Sequence, residues 1–134
     1  MFSLKTRHRS VHYALQGIGY ALTTQPNFRI PVVATLASVL LGLLWRISAE
    51  DWRWVVVAIV IVLTAELVNT AFERLCDVVQ PALHASVKAA KDVAAGAVLM
   101  ASIASAAIGA MVFWPYVATQ IWSPNLKPCA DAAA

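Results

Sequence analysis

Charge is scarce in this chain: Asp, Glu, Lys and Arg make up only 13% of its 134 residues, while 60% are apolar and the mean hydropathy is +0.71. Soluble domains carry about 25% charged residues, so an ordinary water-soluble globule is excluded and a lipid bilayer is the expected solvent. Cysteine is nearly absent. Cys76 and Cys129 stand 53 positions apart, with no second thiol or histidine at zinc-ligand spacing. Neither a disulfide framework nor a structural metal site is indicated, and both are expected as free thiols. There is no G-x-x-x-x-G-K-S/T loop, so any nucleotide site differs from a P-loop. No internal repeat is visible, and so short a chain excludes a large solute carrier built of inverted repeats. A cavity has to come from an oligomer or from an open groove. The excess positive charge of +3 is modest and scattered among apolar segments, which points to a membrane with anionic lipids and to no nucleic acid.

What is abundant is uninterrupted apolar sequence. Ile30 to Trp45 gives 16 positions without a charge, bracketed by Arg29 and Arg46. Snorkelling of both arginines extends it toward the roughly 20 residues that a span needs. A second run, Trp54 to Phe72, covers 19 residues with Glu66 and Asn69 as polar intruders. The third starts at Val93, carries no charge until Lys127, and reads as helix to about Trp114, where Pro115 supplies no backbone donor. Ahead of them, Val11, Leu15, Ile18 and Leu22 recur at helical spacing, the pattern of an amphipathic helix on the membrane surface. Polar interruptions and the lack of a small-residue cleavage site distinguish it from a signal peptide. The expectation is an all-α integral membrane fold with a surface helix at about 9–23, spans at about 29–47, 52–76 and 86–114, and a mobile tail over 115–134. The domain covers 1–114.

Lys and Arg number four before the first span, two in the first loop, three in the second loop and one in the tail. Placing the N-terminus and second loop inside puts seven basic residues inside against three outside. The positive-inside rule therefore predicts a cytoplasmic N-terminus and an external C-terminus. The acidic end of the second span then faces the ATP-containing side.

That acidic end carries the chemistry. A helix turning about 100° per residue places Glu66, Asn69, Glu73 and Asp77 at about 0°, 300°, 340° and 20°, all on one narrow face. A carboxylate at the bilayer centre costs about 2.5 to 3.5 kcal/mol, so the stripe has to face water, protein or a bound cation. Glu73 and Asp77 read alternatively as interfacial charges past the span, with Arg74 as a partner. Glu66, two turns inside, is by default a functional residue. After the helix-breaking Gln80-Pro81 pair come His84, Lys88, Lys91 and Asp92, the last three at i, i+3 and i+4 and hence on one side of the third helix. Alone, the lysines would be topology anchors. Beside the carboxylate stripe they complete a different set: carboxylates to hold Mg²⁺ with phosphate oxygens, a lysine to neutralise phosphate charge, and a carboxylate to deprotonate an attacking hydroxyl. Those are the parts of phosphoryl transfer.

The chain resembles the small prokaryotic lipid kinases, the family of diacylglycerol kinase and undecaprenol kinase, over roughly residues 9–114. The most specific stretch is Ala65-Glu66-Leu67-Val68-Asn69-Thr70-Ala71-Phe72-Glu73, followed by Ala90-Lys91-Asp92-Val93-Ala94-Ala95-Gly96-Ala97-Val98. Tyr13-Ala14-Leu15-Gln16-Gly17-Ile18 and Asn27-Phe28-Arg29-Ile30 support it. The resemblance implies Glu66 as the general base, with Asn69 beside it to position the lipid hydroxyl and Phe28 with Arg29 along the lipid entry. It implies Glu73 as the Mg²⁺ ligand through which the β- and γ-phosphates are held, and Tyr13, His84, Lys91 and Asp92 as further ATP contacts. It also implies a homotrimer with sites shared between chains, in the bacterial inner membrane. Many members have a glutamate before N-F-R as a second metal ligand, where this chain has Gln25, a neutral oxygen donor. Pro31 stands where many carry a histidine. The A-K-D-V-A-A-G-A-V segment, Lys88 and N-F-R-I resemble the undecaprenol kinase branch more, so undecaprenol is the favoured acceptor and diacylglycerol a close second. Two other classes stay open: a small ion- or proton-conducting oligomer, for which Ser102 and Ser105 alone make a dry route along the third helix, and a structural membrane subunit.

Overall fold

The computed structural model describes residues 4–82 and 84–122, with side chains from Arg9 onward. It contains four helices, α1 (Leu4–Thr24), α2 (Pro26–Trp45), α3 (Ala49–Val79) and α4 (Ala85–Trp122), and no strand among the described residues. The last three are long and apolar enough to cross a membrane. Most of their exposed side chains are apolar, Leu36, Leu44, Val60 and Met100 among them. That surface suits a hydrocarbon solvent and not water.

A single residue separates α1 from α2. Gln25 is extended (φ −113°, ψ 103°) and Pro26 opens α2, where its missing N–H leaves nothing unpaired. Arg29 ties the corner: its Nε donates to Leu22 O and its Nη2 to Thr23 O, both at 3.0 Å. These carbonyls, orphaned at the end of α1, thereby gain charged donors. Of α1, residues 9–18 are exposed and Ala21 is buried. Its tip is held from the other side by Arg74, whose guanidinium lies 5.5 Å above the Tyr20 ring.

The α2–α3 corner is tighter. Arg46 adopts a left-handed conformation (φ 50°), which frees its N–H for Leu43 O, while the Ile47 N–H bonds Gly42 O, a helix stop of the Schellman type. Ser48 then caps α3 by accepting from the Asp51 N–H at 3.1 Å, and its hydroxyl donates to Asp51 Oδ2. Trp52 folds back over Gly42. A Cβ at position 42 would stand 2.9 Å from the Trp52 ring and 3.1 Å from Ile47. Gly42→Ala therefore lowers the thermal midpoint in detergent, because overpacking costs typically about 1–3 kcal/mol. Gly17→Ala on α1, where the added carbon meets no atom within 4 Å, leaves the midpoint equal or higher through its better helix propensity.

Two expectations about length are corrected. The first helix begins by Leu4, ahead of the expected residue 9. The third span does not stop at Trp114, since α4 runs through Pro115 to Trp122. Proline removes one intrahelical bond, but anchored residues flank it. Phe113 packs edge-on against Trp45 with centroids 5.9 Å apart, and Tyr116 stacks on the same indole at 6.4 Å. The Tyr116 hydroxyl also donates to Asp51 Oδ2 at 2.6 Å. Tertiary contact on both sides carries the helix past the break, so residues 115–122 belong to α4. The rest of the expected tail, 123–134, lies outside the described residues, as does Cys129. Cys76 is a free thiol as expected.

The buried centre is small, consisting of Ile47, Val55 and Val112 with Trp45, Trp52 and Phe113 around them. It sits at the α2–α3 corner, which becomes the aromatic end of the bundle. At the opposite, carboxylate end, α3 meets α4 through Lys91 and Asp77 and meets α1 through Arg74 and Tyr20.

Candidate functional site

α3 has 31 residues, about 46 Å at 1.5 Å per residue, against a hydrocarbon core of about 30 Å. Its excess length carries the polar stripe toward the carboxylate end. Glu66 is buried at 8% exposure and Thr70, one turn on, at 7%. Asn69 and Glu73 follow at i+3 and i+7 on the same face, and Asn69 Nδ2 donates to Glu73 Oε1 at 3.0 Å. That bond fixes one carboxylate oxygen of Glu73. Asn69 Oδ1 is buried with no partner, and a buried acceptor left empty is costly. It lacks a donor.

Glu66, Asn69 and Glu73 line one wall of a groove of about 600 Å³ between α2, α3 and α4. The groove belongs to a single chain and is open, one of the two forms a cavity was expected to take. Beyond the carboxylates its lining is mostly apolar or small, with Ala34, Ala58, Ala106 and Gly109 among its residues. Ser105 spends its hydroxyl on Ala58 O at 2.9 Å, pinning α4 to α3.

Asp77 parts from the stripe. It pairs with Lys91 across the Gln80-Pro81 break, Nζ to Oδ1 at 2.5 Å, while Lys88 pairs with Asp92 on α4 at 2.7 Å. Lys91 is thus held at the carboxylate end by the fourth member of the acidic row. Arg74 lies over the Tyr20 ring. His84 accepts from the Ser86 N–H through Nδ1 at 3.2 Å, which satisfies a donor in the first turn of α4. Tyr13 is exposed on α1 beside His12. Gln25 makes no capping bond with its side chain, Phe28 is 2% exposed, and Arg29 holds the end of α1. None of Tyr13, Gln25, Phe28, Arg29, His84, Lys91 or Asp92 lines the groove. Within one chain the structure brings together Glu66, Asn69 and Glu73, with Lys91 held apart by Asp77.

Sequence reading overlooked Thr70, the Lys91–Asp77 pair and the groove walls. Thr70 carries no charge, so nothing in its sequence marks it, and only its burial beside Glu66 does. The ion pair bridges 14 positions and a helix break, so no periodicity reports it. The small wall residues come from three helices.

The donor set can be tested against the divalent cation that phosphoryl transfer implies. Mg²⁺ binds through one or two carboxylates plus substrate phosphates and keeps several waters. No group of three or more His, Cys, Asp or Glu side chains gathers among the described residues. Glu73, with a second oxygen uncommitted to Asn69, and the vacant acceptor Asn69 Oδ1 supply hard oxygen donors of the sparse kind that Mg²⁺ uses beside a nucleotide. The residues fit.

Residues 12–113 match the family model described as prokaryotic diacylglycerol kinase. Among curated proteins, the chain is 35% identical over 107 residues to an undecaprenol kinase of Bacillus subtilis, covering 80% of this chain and 87% of that protein. It is 37% identical over 107 residues to a diacylglycerol kinase of Synechocystis, covering 79% of this chain and 61% of that relative. The family match covers most of the chain, and the two relatives are 35% and 37% identical to it. This chain belongs to the prokaryotic diacylglycerol kinase family of membrane lipid kinases.

Proposed function

We propose that the protein transfers the γ-phosphoryl group of MgATP to the primary hydroxyl of a membrane lipid, undecaprenol first and diacylglycerol close behind. One observation carries this: Glu66, Asn69 and Glu73 share a wall at the carboxylate end of an apolar groove, so that an acid meets the place where a lipid headgroup would lie. The preference for undecaprenol is supported by the motif segments of α2 and α4 and by the fuller coverage of the relative bearing that name.

Glu66 accepts the proton of the lipid hydroxyl as its oxygen bonds to the γ-phosphorus and the bond to the β,γ-bridging oxygen breaks, releasing ADP. Asn69 stands beside the hydroxyl and restrains Glu73 through Nδ2, leaving its Oδ1 for the cation. Glu73, with Gln25 as a second oxygen donor, would hold the cation, which when bound would neutralise charge on the phosphates. Lys91 adds positive charge there, and Tyr13, His84 and Asp92 contact the nucleotide. Phe28 and Arg29 border the lipid's approach. Because Tyr13, His84 and Asp92 do not line the groove of their own chain, a homotrimer with shared sites supplies them from a neighbour. The functional unit lies within residues 1–114, in the bacterial inner membrane, with the N-terminus cytoplasmic and the C-terminus outside.

Purified protein in mixed micelles, given ATP radiolabelled at its γ-phosphorus, is expected to label undecaprenol, diacylglycerol or both in a Mg²⁺-dependent manner. Labelling of neither lipid overturns the assignment. Gln25→Glu, which restores a charge to the oxygen donor, is expected to lower the Mg²⁺ concentration for half-maximal rate. An unchanged requirement means that Gln25 does not touch the ion.

A further inference from the structure

The described part of α1 meets the bundle through its last turns. Residues 9–18 are exposed while Ala21 is buried, and the extended Gln25 is the one residue between α1 and α2. Two arginines hold that end. Arg29 binds the carbonyls of Leu22 and Thr23, beside the corner. Arg74 of α3 lies 5.5 Å above the Tyr20 ring, inside the roughly 6 Å reach of a cation–π contact. The carbonyl bonds fix where α1 ends and leave its direction free to pivot about Gln25. The Tyr20 contact sits farther along the helix and on its side, where a second hold fixes direction.

Tyr13 stands seven residues before Tyr20, so the two side chains leave α1 within about 20° of each other and about 10 Å apart along its axis. Tyr13 is 64% exposed. At Gly17, between the two rings, an added Cβ would meet no atom within 4 Å. The tyrosine face of α1 is thus held at Tyr20 and open beyond it, an aromatic ring with clear space beside it, which suits a flat ring that stacks. Arg74 directly follows Glu73 on α3, so the hold starts from the turn that carries the proposed cation ligand. Tyr13 is twelve residues from the corner, and a tilt of about 10° there would carry it through about 3 Å. That exceeds the ~1 Å at which bound geometry already suffers.

We propose that Arg74 and Tyr20 are positioning residues for the nucleotide: their cation–π contact sets the angle of α1, and thereby where Tyr13 meets the base of ATP. The inference rests on the nucleotide part of the lipid-kinase reading, with Tyr13 serving its own chain or a neighbour's site. Arg74 and Tyr20 act through the helix and not on the ligand. A loosened α1 samples other angles, and apparent affinity falls with the fraction still held in the binding orientation.

Two measurements test it. Spin labels at Val11→Cys and Val78→Cys, both exposed, one on α1 and one at the end of α3, are placed in full-length protein carrying Cys76→Ser and Cys129→Ser. Labelled chains are diluted with unlabelled ones in lipid nanodiscs, so that pulsed dipolar spectroscopy reads the angle of α1 within one chain. Tyr20→Leu and Arg74→Met are expected to broaden the distance distribution, whereas Tyr20→Phe, which keeps the ring, leaves it as it was. An unchanged distribution in Tyr20→Leu overturns the clamp. In the second measurement, the Kd of a non-hydrolysable MgATP analogue is titrated for the same substitutions without labels, beside kcat for a lipid acceptor and the thermal midpoint. Loss of an exposed cation–π contact lowers the held fraction by about twofold to fivefold. The Kd is expected to rise by that factor in Tyr20→Leu and Arg74→Met, with kcat at saturating ATP unchanged and Tyr20→Phe equal to the unmodified protein. A lower midpoint or kcat with an unchanged Kd makes the contact a brace of the fold and overturns the proposal, as does an equal rise in Tyr20→Phe. Weakened analogue binding in a protein that labels no lipid keeps the positioning role and removes the lipid-kinase reading. Label transfer to lipid with one Kd across all variants does the reverse.

Discussion

Glu66→Gln is expected to reduce phosphoryl transfer between about a hundredfold and ten-thousandfold, the range for loss of a positioned general base, with the oligomer intact. The substitution keeps the shape of the side chain and removes only its ability to take a proton. Glu66 is buried at 8% exposure, in a position where an acid without a function would be selected against by its desolvation cost. The structural cost of the change is therefore small, and neutralising a buried acid leaves assembly equal or improved. The measurement is kcat under saturating MgATP and lipid, with size-exclusion chromatography alongside. Transfer that survives the change refutes Glu66 as the base, and loss of the oligomer together with activity would assign it to assembly instead.

The second large effect concerns Lys91. Its ammonium is 2.5 Å from Asp77 Oδ1, which joins the ends of α3 and α4 and also holds a positive charge beside the carboxylate end of the groove. Lys91→Met removes both the ion pair and the charge, whereas Asp77→Asn removes the pair and leaves the charge. If Lys91 neutralises phosphate oxygens, Lys91→Met lowers kcat/KM for ATP about a hundredfold to a thousandfold, as losing one preorganised charge-stabilising donor does. Asp77→Asn then costs far less, because exposed ion pairs add little stability, and Lys91→Arg recovers part of the loss. Equal losses for Lys91→Met and Asp77→Asn would mean that the pair acts as a brace between helices. Steady-state kinetics on the three variants separate the two roles.

Both predictions draw on residues that were legible in one dimension, because helical periodicity turns spacing into shared direction. Glu66, Asn69 and Glu73 stand at i, i+3 and i+7, and any helix through them aligns them. The three spans were legible for a similar reason, since a bilayer imposes length and apolarity on the helix alone, whatever packs beside it. Asp77 shows where such reasoning stops. It shares the stripe's direction, yet it turns to Lys91, a partner supplied by another helix across the Gln80-Pro81 break. Arg29 shows the same limit, because an arginine at a span entrance reads as an interfacial anchor while its guanidinium in fact holds the carbonyls of Leu22 and Thr23.

Composition and periodicity alone determined that three helices are long and apolar enough to cross a membrane and that Glu66, Asn69 and Glu73 share one face of α3, because each follows from one helix and its solvent. Tertiary structure alone decided that α4 continues through Pro115, that Lys91 is tied to Asp77, and that an open groove lined from Glu73 to Phe113 runs from the carboxylates toward the aromatic end. Those features depend on side chains from different helices meeting in space. Proline's local penalty is outweighed only where Phe113 and Tyr116 find Trp45, and a groove exists only as the space that three helices leave between them.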